Sequence, residues 1–307
     1  MASIVSVLGP IATSELGMIL PHEHLFTDLR GPGPWDYSGV DLGHVVRRLA
    51  PLIEEIKAQG VTALIEATPP CVGRHVPALE AVARATGLPI VAATGAYRDP
   101  FIPPEMRGLP REALTRAMVQ ELAEGIGSSG VRAGCIKLGA SDDGLTPLEE
   151  RLLRAAAHAS LQTGAAIASH TIAGAVALRQ ADILEEEGLD LGRFIWVHAH
   201  CEPDAEVHVQ LARRGVYVEY DAIGAPDWPD ASFIRLIRRM WDAGCGSRVL
   251  LSQDAGWYQP GDPEAPIRGY GYLAGTFIPA LRRAGFGVAA IHAMVAENPA
   301  RAFARQL

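Results

Sequence analysis

Eight short apolar segments recur along the 307-residue chain, and seven of them are continuous rather than alternating in polarity. Continuous apolar segments of this length are typical of strands covered on both faces. The segments span residues 17–26, 62–68, 90–97, 133–140, 165–171, 194–200, 217–224 and 248–256. Amphipathic helical patterns lie between them, including 45–59, 114–126, 148–162, 233–243 and 276–284. A strand followed by a helix, eight times over, predicts one α/β domain over residues 1–307, a (β/α)8 TIM barrel.

The beginning of the chain adds a second prediction. Segments 3–8 and 11–15 flank Gly9-Pro10 and predict a short β-hairpin that caps the floor of the barrel. An open, doubly wound sheet is the alternative fold. It is disfavoured because no glycine-rich phosphate-binding loop follows the first strand.

Composition excludes several classes of function. The chain is 49% hydrophobic and 20% charged, with a formal net charge of −8, which indicates a globular protein without the basic surface that binds nucleic acid. No run of about 18 apolar residues occurs, so no membrane span is expected. The first residues lack the basic start of a signal peptide. Four scattered cysteines without a CxxC pair predict reduced thiols, and hence a cytoplasmic protein.

Ionisable residues stand at the ends of the predicted strands, where the chemistry of such barrels is located. His22 and His24 alternate along the first segment and therefore share a face. The others, each on a later segment, are Lys137, His170, His198 and Asp254. A lone histidine is more often a hydrogen-bonded core residue, but burying this many ionisable groups together is costly without a metal. Imidazole and carboxylate ligands suit Zn²⁺ or a related divalent ion.

Lys137 lies inside an apolar strand, where desolvation and nearby cations both favour the neutral amine. A neutral amine can add carbon dioxide, and the resulting carbamate can bridge two metal ions. The alternative is a Schiff-base lysine of an aldolase, which also requires a lowered pKa. The surrounding histidines favour the metal bridge, and a non-catalytic binding protein on the same barrel is a third possibility.

Five motifs together resemble the phosphotriesterase family of the amidohydrolase superfamily. They are Leu20-Pro-His22-Glu-His24-Leu-Phe, Ala133-Gly-Cys-Ile-Lys137, Ser169-His170, Val197-His198 and Leu251-Ser-Gln-Asp254. Because they lie on the expected strands in the expected order, the resemblance covers nearly the whole chain. It implies a (β/α)8 hydrolase with a binuclear metal centre.

The resemblance also implies a role for each ligand. His22, His24 and Asp254 would hold the more buried ion, and His170 and His198 the more exposed one. Lys137, N6-carboxylated by carbon dioxide, would bridge the two ions together with a hydroxide, and Asp254 would take the proton of that hydroxide. Zinc is the expected metal, with cobalt, manganese or iron as alternatives.

Four further positions can be compared with relatives in the family, the first two of them with its lactonase-type members. Tyr97 aligns with a tyrosine that reaches the bridging hydroxide and substrate, although packing at the barrel mouth is an equal alternative. Asp221 is followed by Ala222 instead of the arginine of those relatives, and is expected to support a metal-binding histidine. His200 shares by spacing the face of His198, and is expected to support the ligands or to contact substrate. His75 follows Arg74 where an acidic residue is common.

The stretch 255–275 is long and rich in glycine, proline and aromatic residues, which predicts a wall or lid over the exposed metal. Trp257, Tyr258 and Arg268 are candidate substrate contacts, and Arg268 suits a carboxylate or phosphate. Tyr270 and Tyr272 from the same stretch and Trp228 from the preceding loop are further candidates.

Together, the residues and the resemblance predict hydrolysis of a small-molecule lactone ester, with slower action on organophosphate triesters. A dedicated phosphotriesterase is the alternative. The resemblance further implies a homodimer.

Overall fold

The computed structural model describes residues 2–33 and 35–306. Strands β1 (Ala2–Ser6) and β2 (Gly9–Ala12) form the predicted antiparallel hairpin, with Gly9 at a φ of 121° in the turn. The backbone N–H of Val7 donates to the carbonyl of Ile90, which ties the hairpin to the amino end of a barrel strand. The hairpin therefore covers the barrel floor, as predicted.

Eight parallel strands build the barrel. They are β3 (Met18–Phe26), β4 (Val61–Glu66), β5 (Ile90–Ala96), β6 (Cys135–Gly139), β7 (Ile167–His170), β8 (Phe194–Val197), β9 (Tyr217–Tyr220) and β10 (Val249–Leu251). Each pairs with its neighbour in chain order. A short strand, β11 (Gly256–Tyr258), follows β10 and pairs in parallel with β3. The sheet is thus closed through β10 and β11 together, and the TIM-barrel prediction is confirmed over the open-sheet alternative.

Helices alternate with the strands and cover the outside of the barrel. They are α1 (Leu42–Ala58), α2 (Val76–Thr86), α3 (Pro104–Arg107), α4 (Arg111–Ala123), α5 (Pro147–Thr163), α6 (Gly174–Glu186), α7 (Ala205–Arg213), α8 (Asp230–Asp242), α9 (Ile278–Arg283), α10 (Val288–His292) and α11 (Asn298–Phe303). Local sequence sets their ends. In α5, the Thr146 side chain and Glu149 form a reciprocal capping box, and Gly164 ends the helix at a φ of 71°.

A third strand, β12 (Arg305–Gln306), pairs with β1 and was not predicted from the sequence. Its Arg305 is buried and donates to the carbonyl oxygens of Thr163, Ala133 and Leu122. The end of the described chain is thereby fastened beneath the barrel.

The barrel interior is filled by small and branched side chains, including Ile19, Ala63, Val91, Ala166 and Ile195. This packed layer closes the barrel below and leaves space for polar groups only at the carboxyl ends of the strands. Within the described residues, the helices are too short or too polar to cross a lipid bilayer.

Candidate metal centre

The two histidines of β3 point their Nε2 atoms toward Asp254. His22 is buried, and its Nδ1 lies 2.8 Å from Glu219 Oε1. His24 Nδ1 lies 2.7 Å from Thr68 Oγ1, whose own hydroxyl donates to Glu66. The Glu219 carboxylate accepts from His22, and the Thr68 hydroxyl, whose proton is already donated to Glu66, accepts from His24. The Nδ1 atom of each histidine therefore carries the proton, and each Nε2 keeps a free lone pair.

His198 is fixed in the same way by a different carboxylate. It follows β8 in the left-handed conformation at a φ of 64°. Asp221 stabilises this turn, because its two oxygens accept from the His198 backbone N–H at 2.9 Å and from Nδ1 at 2.7 Å. Asp221 Oδ2, the oxygen that accepts from the His198 backbone N–H, also lies 3.3 Å from His22 Nδ1. Asp221 therefore orients two of the predicted ligands, the supporting position expected for it.

His170 ends β7, with its ring centroid 4.5 Å from that of His198. The hydroxyl of Tyr97 lies 3.3 Å from His170 Nδ1. Burial holds the pKa of His170 well below its ordinary value, which favours the neutral imidazole that a metal requires.

Lys137 is buried on β6, with Nζ 3.2 Å from His22 Nε2. Burial lowers the pKa of this amine, in the direction that carbamate formation needs. Gly95 of the neighbouring strand makes room for the backbone here, because a Cβ on it would lie 2.2 Å from the Lys137 carbonyl oxygen.

Asp254 stands where β10 breaks before β11, at a φ of 52°. Its Oδ1 lies 3.0 Å from His24 Nε2 and 3.7 Å from His22 Nε2, yet it is buried without a hydrogen-bond partner. Since those histidines protonate on Nδ1, lone pairs face one another across these gaps. A cation placed among these atoms would satisfy all three groups.

The donor set supports the same interpretation. His22, His198 and Asp254 each offer a ligand atom, and these atoms lie within 4.8 Å of one another. Neutral imidazole nitrogen and carboxylate oxygen are the donors preferred by Zn²⁺ and related ions. The residues present therefore fit a divalent metal.

All six predicted ligands line one cavity of about 140 Å³. Its remaining walls are Thr27, Leu29, Ala67, Pro69, Val72, Tyr97 and Trp257. Tyr97 and Trp257, two of the predicted substrate contacts, therefore line the same cavity as the six predicted ligands. The indole of Trp257 packs over His24 with centroids 4.5 Å apart, and its Nε1–H donates to the Asp254 carbonyl at 2.8 Å.

Five other predicted substrate contacts lie outside this cavity. Tyr258 packs on Phe26 and bonds to His44 through its hydroxyl. Successive residues of a strand face opposite sides, so β11 turns Trp257 inward and Tyr258 outward. Arg268 donates to the Gln253 carbonyl.

The third, Trp228, packs edge-on against His200, with centroids 4.6 Å apart, beside a separate cavity of about 480 Å³. His200 lies in a 3-10 turn after β8 has ended, so the alternation that predicted a shared face with His198 does not apply. Its Nδ1 lies 3.4 Å from Asp221 Oδ1. Of the other loop candidates, Tyr270 is buried and donates to the His24 carbonyl, and Tyr272 contacts half-buried Asp230.

The buried carboxylates Glu23, Glu66 and Glu219 were not predicted to take part in the site. Burial raises the pKa of all three, that of Glu23 to about 8. The available signal was an acidic residue inside each of three apolar strands. Arg74 also has a carboxylate partner, which comes from Glu121 of α4 rather than from the next residue. His75, at that next position, packs against Phe26.

The closed barrel and the histidine- and carboxylate-lined cavity at its mouth define a TIM-barrel hydrolase with a candidate metal centre. The sequence profile of the phosphotriesterase family matches residues 2–303. The chain belongs to the phosphotriesterase family, which confirms the resemblance seen in its motifs.

Individual proteins agree with this assignment. The phosphotriesterase homology protein of Mycobacterium tuberculosis is 33% identical over 326 residues, covering 100% of this chain and 99% of the relative. Human N-acetyltaurine hydrolase is 29% identical, covering 82% and 83% of the two chains. A double mutant of the organophosphorus hydrolase from Deinococcus radiodurans superimposes with a TM-score of 0.89 at 31% identity, covering 98% and 96%. An organophosphate-hydrolysing protein engineered from a weak promiscuous lactonase template superimposes with a TM-score of 0.85 at 30% identity, covering 98% and 99%.

Proposed function

We propose that this protein is a binuclear metal-dependent lactonase with slower activity on organophosphate triesters. The observation that carries the proposal is the convergence of six ligand side chains on one small cavity with otherwise uncharged walls. His22, His24 and Asp254 would hold one ion and His170 and His198 the other, with N6-carboxylated Lys137 between them. When bound, two divalent ions lower the pKa of water and polarise the oxygen of the bond to be cleaved.

The protein's own groups supply orientation and proton transfer. Glu219, Asp221 and Thr68 keep the protons of three histidines on Nδ1, which leaves Nε2 of each directed at the cavity. Asp254 Oδ1 has no donor and is placed to accept a proton from the attacking water. Tyr97 presents its hydroxyl at the wall, where it can donate to a substrate oxygen.

The expected preference for esters follows from the polarity of the reacting group. A lactone carbonyl and a phosphoryl oxygen present similar dipoles, so one site can act on both, and the walls decide the relative rates. The engineered lactonase template and the organophosphorus hydrolase among the similar structures support these two substrate classes. A dedicated phosphotriesterase is the competing proposal.

The test is kcat/KM on zinc- or cobalt-loaded protein, with γ- and δ-lactones compared with an aryl dialkyl phosphate, before and after chelation. We expect a lactone to lead by about a hundredfold or more and the chelator to abolish turnover. A leading phosphotriester would instead establish the competing proposal. Activity that survives chelation and is trapped by borohydride would overturn both and point to a Schiff base. Sedimentation would test the homodimer that the resemblance implies.

A further inference from the structure

We infer that the part of the substrate entering the metal cavity is small and uncharged. This inference rests on the hydrolase function proposed above and names the substrate class more narrowly. Among the described residues, the cavity walls other than the six ligands contain no charged side chain. Leu29, Val72 and Trp257 provide apolar contact, and Thr27 and Tyr97 provide the hydroxyls.

The arginines around the cavity mouth make their contacts with other residues of the loops and helices. The loops after the barrel strands contain four arginines, and both lysines of the chain lie elsewhere, Lys57 on α1 and Lys137 among the ligands. Arg30 donates through Nε to the buried Asp28 at 2.8 Å and lies over the Trp35 ring at 3.9 Å.

The other three arginines also lie outside the cavity lining. Arg74 donates from both terminal nitrogens to Glu121, at 2.6 and 2.7 Å, and Arg268 donates to the Gln253 carbonyl. Arg98 lies over Tyr97 and is 3.5 Å from Asp142. None of the four lines the cavity.

Away from the six ligands, an anionic substituent has no favourable place along the cavity walls for two reasons. Moving a charge from water into an apolar wall without a partner is costly. The same loops also carry more aspartate and glutamate than arginine, which adds repulsion at the entrance. A neutral acyl group or ring avoids both costs.

Size restricts the substrate further. The cavity holds about 140 Å³, whereas sites for drug-sized ligands span roughly 300 to 1,000 Å³. A short acyl chain or an unsubstituted ring fits this space. The N-acetyl group of N-acetyltaurine would fit by size, but its sulfonate would have no cation among the cavity walls.

Two pairs of matched lactones test the inference on the metal-loaded protein. One pair is a γ-lactone carrying a methyl ester and the same lactone carrying a free carboxylate. The other is a γ-lactone with a methyl and with an octyl substituent. We expect kcat/KM to favour the neutral and the smaller member by about tenfold or more. Equal or better turnover of the carboxylate lactone would overturn the inference while leaving the hydrolase function intact.

Calorimetric binding of the same pairs keeps the inference testable without turnover. If no lactone or phosphotriester is hydrolysed, the proposed function fails, but tighter binding of the neutral member still supports this inference. Tighter binding of the carboxylate member contradicts it.

Three single substitutions locate the effect. Leu29→Arg places a cation on the cavity wall and should raise the relative kcat/KM for the carboxylate lactone by about two- to fivefold. Leu8→Arg, on the hairpin at the other end of the barrel and similarly exposed (45% against 48%), should not change it. Arg98→Gln should also leave the ratio unchanged. A selective loss of the carboxylate substrate in Arg98→Gln would show that Arg98 binds anions and would overturn the inference.

Discussion

The Oε2 atom of Glu23 accepts a hydrogen bond from the backbone N–H of Ala255 at 2.7 Å. Glu23 lies wholly buried between the two histidines of β3, and its Oε1 also accepts from the Gln253 N–H at 3.1 Å. These two amides belong to the residues on either side of Asp254, in the segment between β10 and β11 that forms no strand pairing. Glu23 therefore replaces the missing strand pairing and holds Asp254 against the histidines.

Replacing Glu23 with glutamine should loosen this arrangement. One carboxyl oxygen becomes an NH₂ group, which cannot accept a hydrogen bond, so a buried N–H loses its acceptor. We expect a loss of about 1–3 kcal/mol in the free energy of unfolding and faster release of metal to a chelator. Denaturant unfolding and metal analysis measure both. Glu105→Gln, at an exposed glutamate, is the control, and equal metal release from the two variants would refute this role of Glu23.

Asp221 offers a test of how the histidines are oriented. In Asp221→Asn, one acceptor is lost opposite either the His198 N–H or its Nδ1–H. Loss of such an outer partner typically weakens metal binding by about 10- to 100-fold, and we expect a decrease in this range by competition with a chromogenic chelator. Asp227→Asn, an exposed aspartate on the same loop, should bind metal normally. Unchanged affinity in Asp221→Asn would show that the turn alone positions His198.

Gly95 is needed for the position of the Lys137 strand. It has a φ of 107°, and an alanine Cβ would meet the Lys137 carbonyl oxygen at 2.2 Å. We expect Gly95→Ala to cost about 2–3 kcal/mol in urea unfolding, because strain and overpacking add. Gly108→Ala, at a φ of −87° with open space around it, should be close to neutral. If Gly95→Ala is as stable as the wild-type protein, then β5 and β6 can move apart without a loss in the free energy of unfolding.

The pH dependence of stability can be tested away from the metal site. Arg154 donates to Glu187 at 2.5 Å and holds the pKa of that mostly buried carboxyl below its ordinary value. A lowered folded-state pKa contributes stability above the unfolded pKa, about 4.3, and this contribution is lost as the pH falls. Glu187→Gln should therefore lower the free energy of unfolding at pH 7 by about 1–2 kcal/mol, with a matching decrease in Tm. The difference in Tm between the variant and the wild-type protein should shrink as the pH falls below about 5. Thermal scans across that range, with Glu105→Gln as the control, measure the difference. A constant difference would exclude this ion pair as its cause.

Much of the barrel could be predicted from local patterns. The eight apolar segments correspond to β3 through β10, because residues buried on both faces of a strand must be apolar whichever strand lies beside them. The predicted segment ends are less accurate than the segments themselves. Segments 194–200 and 248–256 extend past the ends of β8 and β10 and include His198 and Asp254, which lie outside the strands. Both residues adopt left-handed backbone conformations that polar contacts stabilise, and residue type alone does not indicate them.

The sequence by itself determined which candidate ligands stand at the strand ends, because the alternation within a strand and the order of the strands along the chain can be seen in the sequence. The tertiary structure decided how they are held. The bond between His22 and Glu219 joins residues 197 positions apart and exists only because the barrel closes. Closure likewise pairs β11 with β3, which turns Trp257 toward the metal cavity and Tyr258 away from it. Such contacts depend on strand register around the whole ring, and no local pattern records that register.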